Sequence, residues 1–142
     1  MTNVFVYGSL LFPEIAEGLC QQKLRSEDAV LNGFMRFALK GADYPAIIAQ
    51  NNSTVKGKVL LSLNEKAIEL LTFYEGDEYE PVPVKVETGS GIINAIAFVW
   101  IAGNEFIENF DWDKEQFELE SLELYRDEVV PATLTEFKRT FL

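Results

Sequence analysis

Residues 4–11 read VFVYGSLL, a β-branched and aromatic run that meets Tyr7-Gly8-Ser9 with no linker between. Alternation of Val and aromatic side chains suits a pleated surface, so residues 3–7 are expected to form a strand that Gly8 closes. Glycine lets the chain turn sharply and leaves the adjoining amides unscreened by a β-carbon. Pro13 suits the first turn of a helix running through PEIAEGLCQQ, on which Ile15, Leu19 and Cys20 share a face. Free amides between such a strand and helix would make a concavity for a carboxylate, or for an oxyanion developing on a carbonyl. A plain strand-to-loop turn fits the same letters, and on pattern alone it is the commoner outcome.

Working outward, residues 29–63 stay strand-like. AVL, GFMRFALK, YPAIIAQ and VKGKVLLSL are separated by Asn32-Gly33, Gly41-Ala42-Asp43 and Asn51-Asn52-Ser53, each read as a turn. SLNEKAIELLTFYEG is the clearest helix: Ser62 and Glu65 form a capping box, Leu63, Ala67, Leu70, Leu71 and Tyr74 one stripe, and Gly76 the stop. EYEPVPVKVET alternates as a strand, and Pro81 and Pro83, lacking amide donors, place it at an edge or beside a bulge. GIINAIAFVWIA is an apolar strand with core residues on both faces. After Gly103 the composition turns acidic, with an Asp113/Gln116 capping box opening a helical region and ATLTEFKRTFL as a terminal helix packed on the domain or on a partner. The expected fold is α+β: a small mixed, mostly antiparallel β-barrel with flanking short helices. It forms a single domain over 1–142, of which 113–142 is an acidic helical C-terminal extension.

Composition removes several function classes. The chain has 142 residues, 12 basic and 23 acidic, for a formal net charge of −11. Such a surface repels phosphate backbones and anionic lipid, so neither nucleic acid nor membrane is an expected partner. Cys20 is the lone cysteine, which rules out an intramolecular disulfide and favours a small core side chain over a reactive thiol. No signal-peptide pattern opens the chain, and a cytoplasmic location is the expectation. Histidine is absent, so Ser-His-Asp, Cys-His and histidine-ligated zinc sites are excluded. Ser9 as a covalent nucleophile lacks a base for the same reason.

Acid–base chemistry then falls to carboxylates, and one stands out. Glu75 ends the amphipathic helix beside Phe73 and Tyr74. The negative end of the helix dipole and apolar neighbours would both raise its pKa, as a base that must return its proton requires. A solvated acidic loop is the competing reading, since Asp77, Glu78 and Glu80 follow. A calcium loop is weaker still, because EF-hand ligand spacing is missing, and no metal site is assigned.

The order VFVYGSL, FMRFALKGADYPAI, VKGKVLLSL and LTFYEGDEYEPVPVKV, with a later Asp111-Trp112, resembles the gamma-glutamylcyclotransferase-like family, and most nearly its short members, the gamma-glutamylamine cyclotransferases and plant avirulence-induced proteins. The resemblance spans Val4 to about Trp112. It implies a small barrel and a cofactor-free cyclotransferase. The α-amine of a gamma-glutamyl amine or peptide would attack its own γ-carbonyl, releasing 5-oxoproline and a free amine. It further implies that Glu75 is catalytic, that Tyr7, Gly8, Ser9 and Leu10 hold the glutamyl part, and that Tyr79 lies nearby. Arg36, Tyr44, Pro45 and Ala46 match less directly, as pocket wall. Relatives often carry arginine where this chain has Pro81, which raises the alternative of a non-catalytic small-molecule-binding or regulatory domain on the same fold. Neither the leaving amine nor the oligomeric state is legible.

Overall fold

A computed structural model of the chain describes residues 1–141. Five strands close a barrel in the order β1-β3-β2-β4-β5. They are β1 (Thr2–Val6), β2 (Arg25–Ala38), β3 (Pro45–Leu63), β4 (Tyr79–Thr88) and β5 (Gly91–Trp100). Four of the junctions are antiparallel and the closing pair is parallel, with Val4 opposite Ile96 and Phe5 opposite Ala97. Outside lie α1 (Pro13–Cys20), α2 (Glu65–Glu75), α3 (Lys114–Glu120), α4 (Leu122–Leu124) and α5 (Val130–Phe141), a π-turn (Tyr125–Val129) joining the last two. Leu142, the end of the expected terminal helix, lies outside the described residues. No helix among them is long and apolar enough to cross a membrane.

Strand alternation builds two cores from one sequence. Phe5 and Tyr7 face the barrel lumen with Leu31, Ile47, Val59, Val86 and Ala97. Val4 and Val6 face outward onto Ile15, Leu19, Leu71 and Phe98, beneath the helices. β5 does the same, sending Ala95 and Ala97 inward and Phe98 and Trp100 outward. Burying each such aliphatic or aromatic side chain stabilises by about 1.5–3 kcal/mol. Gly57 marks where β1 crosses β3, since a β-carbon there would sit 2.2 Å from the Val6 carbonyl oxygen.

Three local expectations change. Asn32-Gly33 and Asn51-Asn52-Ser53 are not turns but irregularities inside β2 and β3, which pair with each other on both sides of them. Gly33 and Asn52 supply the positive φ values, 85° and 64°, that a bulge needs as much as a turn does. The cap of α2 is Asn64, whose Oδ1 accepts from the Ala67 amide at 2.9 Å; Ser62 belongs to the sheet, its amide donating to Asn3 Oδ1. By contrast, Pro13 does open α1, and Asp113 does cap α3 by accepting from the Gln116 amide. β4 pairs with β2 only at Thr88 and Glu87, so its Pro81–Pro83 half has β5 as its sole ladder partner, the edge position those prolines required.

Candidate active site

β1 leads straight into a short 3-10 turn, Ser9–Leu11, that delivers the chain to α1. The turn is closed by the Leu11 amide on the Gly8 carbonyl (2.9 Å) and the Phe12 amide on the Ser9 carbonyl (3.2 Å). Among the described residues, the Gly8, Ser9 and Leu10 amides take no part in that closure. Only glycine fits at position 8, because a β-carbon would lie 2.8 Å from two ring carbons of Pro45.

Gly8, Ser9 and Leu10 line a cavity of about 220 Å³ that Glu75 also lines. Drug-sized ligands occupy pockets of roughly 300–1,000 Å³, so this space suits a smaller molecule. Phe5, Tyr7, Tyr44, Pro45, Tyr74, Tyr79 and Phe98 complete much of the wall. Of the residues singled out in the sequence, Tyr7, Gly8, Ser9, Leu10, Tyr44, Pro45, Glu75 and Tyr79 thus come together here.

Arg36 does not join them. It sits behind the loop, Nη1 donating to the Tyr7 carbonyl at 2.7 Å and the rest of its fork held by Asp111, Nε to Oδ1 at 2.8 Å and Nη2 to Oδ2 at 3.2 Å. Its guanidinium also lies over the Trp112 ring, 5.3 Å from the centroid. A guanidinium with two carboxylate bonds and a ring beneath it is held away from the cavity it was expected to line. Ala46 is fully buried in the helix-side core and is not part of the wall. Pro81 is also outside the lining and exposed on β4.

The electrostatics single out one group. Glu75 is half-buried as a residue, and burial pushes its carboxyl up to about 8 from an ordinary 4.5. The surrounding phenols cannot share its work. Tyr7, Tyr74 and Tyr79 are all raised above the ordinary tyrosine range, first by burial, and stay neutral at physiological pH. Their hydroxyls are also engaged: Tyr7 donates to the Phe98 carbonyl (2.6 Å), Tyr79 to the Pro45 carbonyl (2.6 Å), and Tyr74 pairs with Ser9 Oγ (2.7 Å). Cys20 is buried away from the cavity with its thiol pushed up to about 11. No group of three or more metal-ligating side chains occurs among the described residues.

The acidic C-terminal region contributes wall that sequence reasoning missed: Tyr125, Val129 and Thr133. They follow one another at intervals of four, the spacing of a single helical stripe, which was the available signal. Tyr125 is tied across the site by its hydroxyl, which donates to Asp43 Oδ1 at 2.6 Å, while Trp112 Nε1 donates to the Asp43 carbonyl at 2.8 Å. Phe137 and Phe141 pack on Phe73 of α2, at 5.5 and 5.9 Å between ring centroids.

Comparison with known proteins agrees with this fold. The profile described as "Gamma-glutamyl cyclotransferase, AIG2-like" matches residues 4–114. The chain belongs to this gamma-glutamyl cyclotransferase, AIG2-like family. Among curated relatives, AIG2-like protein B of Arabidopsis thaliana is 38% identical over 117 residues, covering 81% of this chain and 68% of that protein. A solution structure from Arabidopsis thaliana superposes with a TM-score of 0.70 at 28% identity, covering 97% of this chain and 84% of that one. A structure named gamma-glutamyl cyclotransferase superposes with a TM-score of 0.62 at 21% identity, covering 75% and 68% of the two chains, and shows the shared fold. The family match ends at residue 114, so the Tyr125–Thr133 stripe of the cavity lies outside it.

Proposed function

We propose that the protein is a gamma-glutamyl cyclotransferase acting on a gamma-glutamyl amine or small gamma-glutamyl peptide, with Glu75 as its general acid and base. One observation carries this reading: a carboxyl group desolvated to a pKa of about 8 shares a cavity with the uncommitted amides of Gly8, Ser9 and Leu10.

The reaction needs only what the cavity holds. The substrate's α-nitrogen and γ-carbonyl carbon close a five-membered ring, so a bound, folded conformer places nucleophile and electrophile together. Before substrate binds, Glu75 is mostly protonated at neutral pH. An α-ammonium about 4 Å away favours the carboxylate by about 4 kcal/mol at an effective dielectric of about 20, roughly three pK units. Substrate binding thereby creates the base that acts on it. The carboxylate takes one ammonium proton, and the amine adds to the γ-carbonyl carbon. The resulting oxyanion is held by the Gly8–Leu10 amides. The C–N bond to the leaving amine then breaks as Glu75 returns that proton to the leaving nitrogen. The carboxylate so freed passes the remaining extra proton of the ring nitrogen to the departing amine, giving 5-oxoproline and an ammonium product.

Incubation with a panel of gamma-glutamyl amines and dipeptides, read for 5-oxoproline by mass spectrometry, tests the proposal. Glu75→Gln keeps the shape and removes the base, and a loss of about 10²–10⁴-fold is expected from general acid–base catalysis. Turnover by the variant within tenfold of the parent would rule out the role.

A further inference from the structure

We propose that Arg36 is a positioning residue for the Gly8 amide, orienting and polarising the Tyr7–Gly8 peptide from behind so that its N–H faces the cavity. The proposal rests on the functional reading above and adds a residue outside the pocket to it.

The geometry is specific. Arg36 Nη1 donates to the Tyr7 carbonyl at 2.7 Å, and Arg36 itself is not part of the lining of the cavity that Glu75 shares with Gly8. No peptide bond in the described chain is cis, and in a trans peptide the C=O and N–H point in opposite directions. Fixing the Tyr7 oxygen on Arg36 therefore fixes the Gly8 N–H on the opposite side, where Gly8 lines the cavity. A full cation on the carbonyl oxygen also polarises the peptide and makes its N–H a stronger donor.

The guanidinium is itself held in place. Asp111 grips Nε and Nη2 bidentately, Trp112 lies beneath, and only 18% of the Arg36 side chain is exposed. Two arms of the fork are anchored so that the third can aim. Lysine, with one point charge on a flexible stem, could supply the donor but not the fixed direction.

The test compares the parent with Arg36→Lys and Arg36→Met. Each protein, labelled with ¹⁵N, is examined at the Gly8 amide resonance, and kcat and KM are measured on the best gamma-glutamyl substrate. Arg36→Met is expected to shift the Gly8 resonance and lower kcat about ten- to hundredfold, with KM within about twofold, as for loss of a donor used chiefly in the transition state. Arg36→Lys should restore part of both. A Gly8 resonance unmoved by Arg36→Met overturns the proposal. So does a kcat loss that merely follows a fall in Tm, with Lys no better than Met. If Arg36→Met does not fold, the Gly8 shift between the parent and Arg36→Lys decides: movement supports the role and none overturns it. If the parent releases 5-oxoproline from no substrate, the functional reading fails by itself, and the Gly8 resonance still decides what Arg36 does.

Discussion

Replacing Glu75 with glutamine should stabilise the protein at neutral pH, and by an amount that grows with pH. The folded-state pKa of Glu75 is about 8 against an ordinary 4.5. Below pH 4.5 both folded and unfolded chains keep the proton, and ionisation favours neither. Between those values the unfolded chain releases its proton while the folded one retains it, so the folded state loses ground as pH rises. At pH 7 the difference is about 2.5 pK units at about 1.4 kcal/mol each, a ceiling of about 3.5 kcal/mol. Glu75 keeps part of its surface in water, which screens the penalty to about 1–2 kcal/mol. Glutamine does not titrate, so any cost of burying its amide is the same at every pH. Urea denaturation of both proteins at pH 4, 7 and 8.5 isolates the pH-dependent part. The Glu75→Gln variant should gain about 1–2 kcal/mol on the parent between pH 4 and 7, about 3–6 °C in Tm, and more by 8.5. A stability difference that stays flat across this range, or that shrinks as pH rises, would show that burial does not hold the proton on Glu75. A gain in stability with a loss of turnover would mark Glu75 as a group kept for chemistry at the expense of the fold.

Other consequences are equally open to measurement. The acid limb of kcat/KM, which reports the free enzyme, should fall near pH 8, whereas the limb of kcat should lie at lower pH because the bound ammonium favours the carboxylate. Gly8→Ala would drive a methyl group to 2.8 Å from the Pro45 ring, and denaturation should show a loss of about 1–3 kcal/mol together with weakened binding of 5-oxoproline. Tyr125→Phe removes the bond to Asp43 that fastens the C-terminal wall, and a loss of about 1.5–3 kcal/mol is expected by the same assay. Pro81→Arg adds a side chain outside the cavity lining, so KM for gamma-glutamyl substrates should change by less than about twofold, as befits an exposed position away from the site.

The sheet and the helices were legible where local chemistry and tertiary demand agree. VFVY alternates because both faces of β1 are covered, Pro13 opens a helix that needs no amide there, and Pro81 and Pro83 sit where β4 has no second partner. Reading failed where one residue serves two geometries. Gly33 and Asn52 adopt positive φ within continuous strands, and only the pairing of β2 with β3, a long-range fact, distinguishes a bulge from a turn. Ser62 and Asn64 are both good caps, and the sheet claimed the first. In the site, Glu75 and the loop after β1 each carried a local signal. The distance from Tyr125 to Asp43 along the chain, 82 residues, carried none. Arg36 was misplaced for a related reason: its partners Asp111 and Trp112 lie about 75 residues on, and they hold it behind the loop.

The shielded carboxyl itself offers the decisive readout. Protein labelled with ¹³C at glutamate side-chain carboxyls, with Glu75→Gln to assign the resonance, can be titrated with and without saturating 5-oxoproline. Glu75 should titrate near pH 8 in the free protein, and its resonance should move when the ligand fills the cavity. Titration near 4.5, with no response to ligand, is incompatible with a desolvated base at this position.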